Sequence, residues 1–174
     1  MRIHTNGTLG LTSSVIAIGA FDGVHQGHQA VIRRLIERSK SLGVPSVVYT
    51  FDPPPRFYFQ GARVLTSLQE KTDRLAKLGL DHAVIARFDE SYTRRRAIDF
   101  LEELKGLGPQ EILVGNDFRF GRSRGGDVNL LARFFPVCLV EPVYCGDGKM
   151  ISSTRIRQLL SQGDTEQSVA LLGW

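Results

Sequence analysis

Two histidines surrounded by glycines are the residues of this sequence whose types and spacing most suggest chemistry. His25 and His28 stand three positions apart at the start of a segment with helical periodicity, among Gly19, Gly23 and Gly27. Helix N-termini carry unpaired N–H groups and partial positive charge, and they bind phosphate readily. Two imidazoles there could donate hydrogen bonds to phosphate oxygens. The spacing fits a glycine-rich turn with one capping histidine equally well, so both interpretations stay open at this point.

A second polar segment lies near the other end of the chain. Residues 151–157 read Ile-Ser-Ser-Thr-Arg-Ile-Arg and precede another helical pattern. Hydroxyls and an arginine at the head of a helix could hold a triphosphate, although Ser-Ser-Thr before a helix is also an ordinary capping sequence.

Charge and composition restrict the class of ligand. The formal net charge is +4, and most of the 22 basic residues are arginines, whose planar fork suits phosphate and carboxylate oxygens. The run Arg94-Arg95-Arg96 opens a predicted amphipathic helix, where such charge is more often a solvated face than a nucleic-acid patch. The sequence therefore favours small anionic ligands, and we expect no nucleic-acid partner.

Neither a membrane segment nor a cysteine framework is predicted. The longest apolar run, residues 134–140, contains a proline and is far shorter than a membrane span, and the N-terminus lacks the pattern of a secretory signal. Cys138 and Cys145 have no CxxC spacing, so we expect neither a disulfide framework nor a zinc ribbon. A cytoplasmic protein without a membrane partner is the resulting expectation.

The elements that must position these residues alternate from end to end. Length and 42% apolar composition fit one domain with a real core. Strands are predicted over residues 15–18, 45–51, 83–88, 111–114 and 137–140. Helices are predicted from the His25–His28 segment to Gly43, with apolar positions from Val31 onward, and over residues 67–78, 95–104 and 128–135, followed by two short C-terminal helices. Ser67 and Glu70 form a capping-box pattern, and the triple proline 53–55 is predicted as loop.

This alternation predicts an α/β fold: a Rossmann-like, doubly wound, five-stranded parallel sheet with helices on both faces. Ligands of such folds bind outside the carboxyl ends of the strands, where the first histidine segment lies. The Gly/Arg-rich residues 121–126 are the segment best suited to be a mobile loop.

Several motifs resemble one known family. His25-Gln26-Gly27-His28 resembles the His-x-Gly-His signature of the nucleotidyltransferase superfamily, and residues 151–157 resemble its second phosphate-binding motif. Residues 19–29, 50–53 and 114–121 are similar to motifs of the adenylyltransferase module of bacterial bifunctional riboflavin kinase/FAD synthetases. One departure is Pro54, where that family usually has histidine.

The resemblance implies a reaction and a domain arrangement. FMN and ATP would give FAD and pyrophosphate by direct in-line attack of the FMN phosphate on the α-phosphorus, with Mg²⁺ accompanying ATP. Residues 1–174 would form a single FMN adenylyltransferase domain without a riboflavin kinase domain, and a separate riboflavin kinase would supply FMN. Two alternatives remain: a related nucleotidyltransferase that uses CTP or another phosphate acceptor, and a catalytically weak flavin-nucleotide binding module.

The same resemblance implies roles for individual residues. The catalytic set would be His25, His28 and Arg157. Contacts to ATP would come from Gly19, Phe21, Asp22, Gly23, Ser152, Ser153 and Thr154. The flavin side would comprise Phe51, Asp52, Pro53, Asp117, Phe118 and Phe120. Asp117 would also be the magnesium ligand, although it fits a turn residue too, and Phe51 fits the core equally well.

Overall fold

Apolar runs of the sequence form strands that lie side by side in one parallel sheet, with helices in the connections. The computed structural model describes residues 1–174. Its strands are β1 (Arg2–Thr5), β2 (Ser14–Ile18), β3 (Ser46–Asp52), β4 (His82–Arg87), β5 (Pro109–Gly115), β6 (Arg119–Phe120), β7 (Gly126–Asp127) and β8 (Val137–Val140). Its helices are α1 (Gln26–Leu42), α2 (Pro55–Gln60), α3 (Leu68–Lys77), α4 (Glu90–Thr93), α5 (Ala97–Lys105), α6 (Val128–Ala132), α7 (Ser153–Ser161) and α8 (Thr165–Leu172).

The main sheet has six strands in the order β1-β4-β3-β2-β5-β8, all parallel. The prediction of a doubly wound α/β fold is confirmed, but the predicted number of five strands is wrong. The sixth is β1, which pairs with the edge of β4 from Arg2 opposite His82 to Thr5 opposite Ile85. An edge strand with exposed side chains needs no apolar run, so sequence periodicity did not reveal it.

Both faces of the sheet are covered by packed apolar side chains. Strand β2 is buried throughout, with Ile16 and Ile18 in one core cluster and Val15 and Ala17 in the other. Successive side chains of a strand point to opposite faces, so these two clusters lie on opposite sides of the sheet. The first cluster packs against α5 and the second against α1. Helices on both faces are therefore confirmed.

The helices predicted over residues 95–104 and 128–135 begin or end at other residues in the structure. The helix predicted from residue 95 begins at Ala97, because Asp99 accepts a hydrogen bond from the backbone N–H of Arg96 and closes its N-terminus. The helix predicted to residue 135 ends at Ala132, because the chain tightens into a turn ahead of Pro136. The capping box of Ser67 and Glu70 on α3 is confirmed.

Short elements appear where loops were predicted. The triple proline leads into α2, with Pro55 at the first helical position, where its missing N–H costs nothing. Strands β6 and β7 form an antiparallel ribbon around a 3-10 turn at Arg122–Arg124. A Cβ on Gly126 would lie 2.5 Å from the Phe120 ring, so this ribbon requires glycine there. None of the helices combines the length and apolar character needed to cross a membrane.

Candidate active site

The loop from β2 to α1 has an unusual backbone that its packing maintains. Phe21 and Val24 have φ of 46° and 42°, in the left-handed region that bulky side chains avoid, and Gly23 between them has φ of 85°. Each such residue costs on the order of 1–3 kcal/mol and persists only where its surroundings enforce it. Both side chains are buried in the core beneath the loop. The loop is therefore a fixed platform for the residues that follow.

The two histidines are stacked at the start of α1. His25 is the N-cap, and its Nδ1 accepts a hydrogen bond of 3.3 Å from the backbone N–H of His28. The imidazole centroids lie 3.6 Å apart with the rings 17° from parallel, and the edge of Phe21 packs on His28 at 5.2 Å. The capping interpretation therefore holds for His25. It leaves Nε2 of His25 and the ring nitrogens of His28 for other partners.

Both imidazoles are neutral at pH 7. Burial is the main cause that lowers the pKa of His25 to about 4, and the charge of Arg157 acts in the same direction. Burial, followed by the charges of His25 and Lys71, lowers the pKa of His28 well below its ordinary value. Because Nδ1 of His25 accepts, its neutral ring carries the proton on Nε2. The pair is thus suited to donate hydrogen bonds to phosphate oxygens, rather than to act as two cations.

The depressed pKa of His25 predicts a loss of stability in mild acid. The unfolded chain binds a proton at His25 below about pH 6.5, whereas the folded chain does so only below about pH 4. Stability should therefore fall as the pH drops through this window, by about 3 kcal/mol from His25 alone. Urea unfolding at pH 7 and pH 4 measures it, with His25→Gln as the matched variant. An equal acid loss in both proteins would contradict the assignment.

Asp22 joins the two motifs from opposite ends of the chain. Its Oδ1 accepts hydrogen bonds from the backbone N–H groups of Leu65 at 2.9 Å and Thr66 at 3.3 Å. Its Oδ2 forms an ion pair with the guanidinium of Arg157, and its carbonyl oxygen accepts from the hydroxyl of Ser153 at 3.0 Å. The Asp22 carboxylate is only 2% exposed. Its observed contacts hold the site together, and direct contact of Asp22 with ATP stays a prediction.

The second motif forms the head of α7 beside a cavity of about 430 Å³. Ser152 is the N-cap and accepts from the backbone N–H of Arg155, which reproduces the ordinary capping role. Thr154 and Arg157 line the cavity. Arg157 also donates from Nε to the carbonyl of Arg63 at 2.6 Å. The motif thus presents the Thr154 hydroxyl and the Arg157 guanidinium to one cavity. The ion pair with Asp22 also anchors Arg157 to the loop from β2 to α1.

A larger cavity of about 890 Å³ lies against the carboxyl ends of β2, β3 and β5. Five predicted site residues line it: Gly19, Phe51, Phe118, Phe120 and the exposed Asp117. Sequence reasoning missed further aromatic residues of its wall, namely Phe59, Phe88, Tyr92 and Phe100.

Several predicted site residues line neither of these two cavities. Asp52 and Pro53 are not among the residues that line the larger cavity, and neither histidine lines either one. Phe51 is 8% exposed and belongs to the core cluster, which confirms its core interpretation; it also faces the larger cavity, and its contact with a flavin stays a prediction.

The turn after β5 is closed by the backbone. Phe118 N–H donates to the carbonyl of Gly115 at 3.1 Å. The carboxylate of Asp117 is therefore not needed to close this turn, and it lies at the wall of the larger cavity.

Lys71 is a buried cation beneath the site that sequence reasoning did not identify. Its Nζ donates to the carbonyls of Phe51 at 2.9 Å and Ala20 at 3.2 Å, so it connects the end of β3 to the loop from β2 to α1. The pKa of Lys71 lies below its ordinary value because burial lowers it more than the carboxylates of Asp22 and Asp52 raise it. A single lysine on a helix carries no sequence signal that separates it from a surface residue.

Comparison with known proteins shows the family to which this chain is related. A family model described as FAD synthetase matches residues 10–155. A relative from Geobacillus thermodenitrificans (strain NG80-2), provisionally assigned as a bifunctional riboflavin kinase/FMN adenylyltransferase, is 62% identical over all of this chain and 98% of its own length. The bifunctional riboflavin kinase/FMN adenylyltransferase of Escherichia coli (strain K12) is 36% identical over 91% of this chain. The match covers 54% of that relative, so this chain spans about half its length.

A solved structure extends the likeness to the whole fold. A crystal structure described as a macrolide-efflux protein from Streptococcus pneumoniae superposes with a TM-score of 0.84 at 28% identity, over 99% of this chain and 62% of that one. The family model and the relatives together cover the loop after β2, the larger cavity and the start of α7. The chain belongs to the FAD synthetase family.

Proposed function

We propose that this chain transfers the adenylyl group of ATP to FMN, forming FAD and pyrophosphate. The observation that carries the proposal is the ion pair of Asp22 with Arg157. It fixes the head of α1, with its two histidines, against the head of α7, beside an aromatic cavity. Two helix N-termini held together suit a triphosphate, and an aromatic cavity suits a flavin ring. Residues 1–174 would act as one adenylyltransferase domain.

The transfer needs alignment and charge stabilisation more than a strong base. The FMN phosphate is already ionised at neutral pH, so its oxygen can form a bond to the α-phosphorus as the bond to the leaving pyrophosphate breaks. Neutral His25 and His28 would donate to oxygens of the phosphates as charge develops. Ser153, Thr154 and Arg157 would hold the β- and γ-phosphates. The histidines therefore act as positioned donors, with no covalent intermediate on the protein.

Mg²⁺ would enter as part of the substrate, bound to the phosphates of ATP. It prefers oxygen ligands, keeps several waters and needs only one or two carboxylates from a protein. Asp117 offers such a carboxylate at the wall of the larger cavity, whereas the Asp22 carboxylate is already engaged by Arg157. No three acidic, histidine or cysteine side chains are grouped to hold a metal by themselves. These residues fit an ion brought by ATP and assisted by Asp117.

A substrate panel tests the proposed reaction. The purified chain is incubated with FMN, ATP and Mg²⁺, and the flavins are separated by chromatography. We expect FAD from FMN and ATP, little product with CTP in place of ATP, and no FMN from riboflavin and ATP. A cytidylyl product would favour the alternative nucleotidyltransferase. Flavin binding without any product would favour the binding module.

A substitution at Pro54 distinguishes the proposed enzyme from the alternative, a catalytically weak binding module. It is buried and precedes α2, and its carbonyl accepts from the N–H groups of Phe57 and Tyr58. Histidine at position 54 would keep that carbonyl and can adopt the extended backbone favoured before a proline. Because His25 and His28 supply the donors, we expect Pro54→His to change the rate of FAD synthesis by less than about tenfold. Steady-state assays at saturating ATP and FMN measure it. An inactive native chain rescued by this substitution would contradict the account.

A further inference from the structure

Arg56 stands at the boundary between the two cavities. It lies on α2 and lines both the smaller cavity beside α7 and the larger aromatic cavity. Its guanidinium donates to the hydroxyl of Thr154 in the second motif. A guanidinium carries five N–H donors, and this contact uses one Nη group, so donors remain for another acceptor. On the proposed function, with ATP beside α7 and the flavin in the larger cavity, Arg56 faces both substrates.

Arg56 differs from most other arginines of the larger cavity because it has no carboxylate partner. Arg94, Arg95 and Arg119 form ion pairs with Glu90, Glu103 and Asp127 respectively. No such pair is formed by Arg56, Arg122 or Arg124.

Arg122 and Arg124 lie in the turn between β6 and β7, and neither lines the smaller cavity. Arg56 is therefore the arginine without a carboxylate partner that faces both cavities and contacts the phosphate motif.

Resting on the proposed function, we propose that Arg56 binds the phosphate of FMN and is the residue by which the site selects FMN over riboflavin. An arginine fork can hold two phosphate oxygens and leave the third to form the bond to the α-phosphorus, while the departing electron pair leaves with pyrophosphate. The anchoring contact with Thr154 would keep this phosphate next to the nucleotide.

Binding of the two flavins tests this role without turnover. The dissociation constants of FMN and riboflavin are measured by flavin fluorescence for the native chain and for Arg56→Ala and Arg56→Lys. We expect the native chain to prefer FMN and Arg56→Ala to lose about 10- to 100-fold in FMN affinity, with riboflavin affinity unchanged. Arg56→Lys should fall between them, because an ammonium lacks the fork. Unchanged riboflavin binding shows that the variants are folded.

Two further variants complete the design. Arg133→Ala, an exposed change outside both cavities, should keep the preference for FMN. Arg124→Ala tests the competing arginine of the larger cavity and should also keep it. Equal losses for both flavins in Arg56→Ala, a preference abolished by Arg124→Ala instead, or a native chain with no preference would each overturn the proposal.

Failure of this inference and failure of the proposed function are distinguishable. A native chain that makes FAD while Arg56→Ala retains its preference for FMN would overturn only the role of Arg56. A native chain that makes no FAD but loses its preference for FMN in Arg56→Ala would support the phosphate contact and overturn the reaction.

Discussion

His28→Ala should lower the turnover of FAD synthesis by about 100- to 1,000-fold while weakening ATP binding far less. The ring of His28 stacks on His25 and packs against Phe21, so it is fixed before substrate arrives. Burial holds the pKa of His28 low, and the neutral ring then acts through a hydrogen bond rather than through net charge. A donor aimed at developing phosphate charge contributes mainly in the transition state, which separates turnover from affinity.

The measurement pairs steady-state turnover with the dissociation constant of ATP. His4→Ala is a matched control, because His4 lies on the edge strand β1, where its ring is hydrogen-bonded to that of His82 on β4, away from the heads of α1 and α7. It should leave turnover within a factor of about two of native, as distant and independent sites rarely couple. Equal losses of turnover and ATP affinity in His28→Ala would give this histidine a ground-state binding role and contradict the assignment.

Asp22→Asn should lower the free energy of unfolding by about 3–5 kcal/mol, since it leaves the guanidinium of Arg157 without its buried partner. The Arg157 side chain is 15% exposed and the Asp22 side chain 2% exposed, so water can compensate little of the loss. Asparagine would keep an oxygen for the N–H groups of Leu65 and Thr66, which confines the change to the charge. Urea unfolding at pH 7 measures the effect.

The matched control for Asp22→Asn is Glu90→Gln. Glu90 forms an ion pair with Arg94, but both side chains are more than 70% exposed. Surface pairs of this kind typically contribute between 0 and about 1 kcal/mol, so this variant should stay within that range. A loss no larger for Asp22→Asn than for the control would show that the two motifs do not depend on this ion pair.

Sequence patterns could predict the parts of this fold that depend on residues close together along the chain. Helical periodicity after His28 and the capping box of Ser67 with Glu70 involve residues a few positions apart, and both were predicted correctly. The sheet followed from strict alternation of strands and helices, which leaves few topologies open. Because all its strands are parallel, their carboxyl ends share one edge, which placed the histidine loop beside the turn after β5.

Contacts between distant polar residues could not be predicted in the same way. The ion pair of Asp22 with Arg157 joins residues from opposite ends of the chain, and neither residue type signals its partner. Lys71 is buried because two carbonyls accept from it, a circumstance that exists only once β2 and β3 end side by side. Arg56 stands between two cavities because Pro55 begins a helix where a loop was expected.

The central claim is that the adenylyl group of ATP moves to the phosphate of FMN in one direct step. Incubation with FMN, Mg²⁺ and ATP radiolabelled at either the α- or the γ-phosphorus tests it in a single measurement. The account predicts that α-label appears in FAD, that γ-label appears only in pyrophosphate, and that the protein acquires no label. Label bound covalently to the protein, or unlabelled FAD recovered with α-labelled ATP, would contradict it.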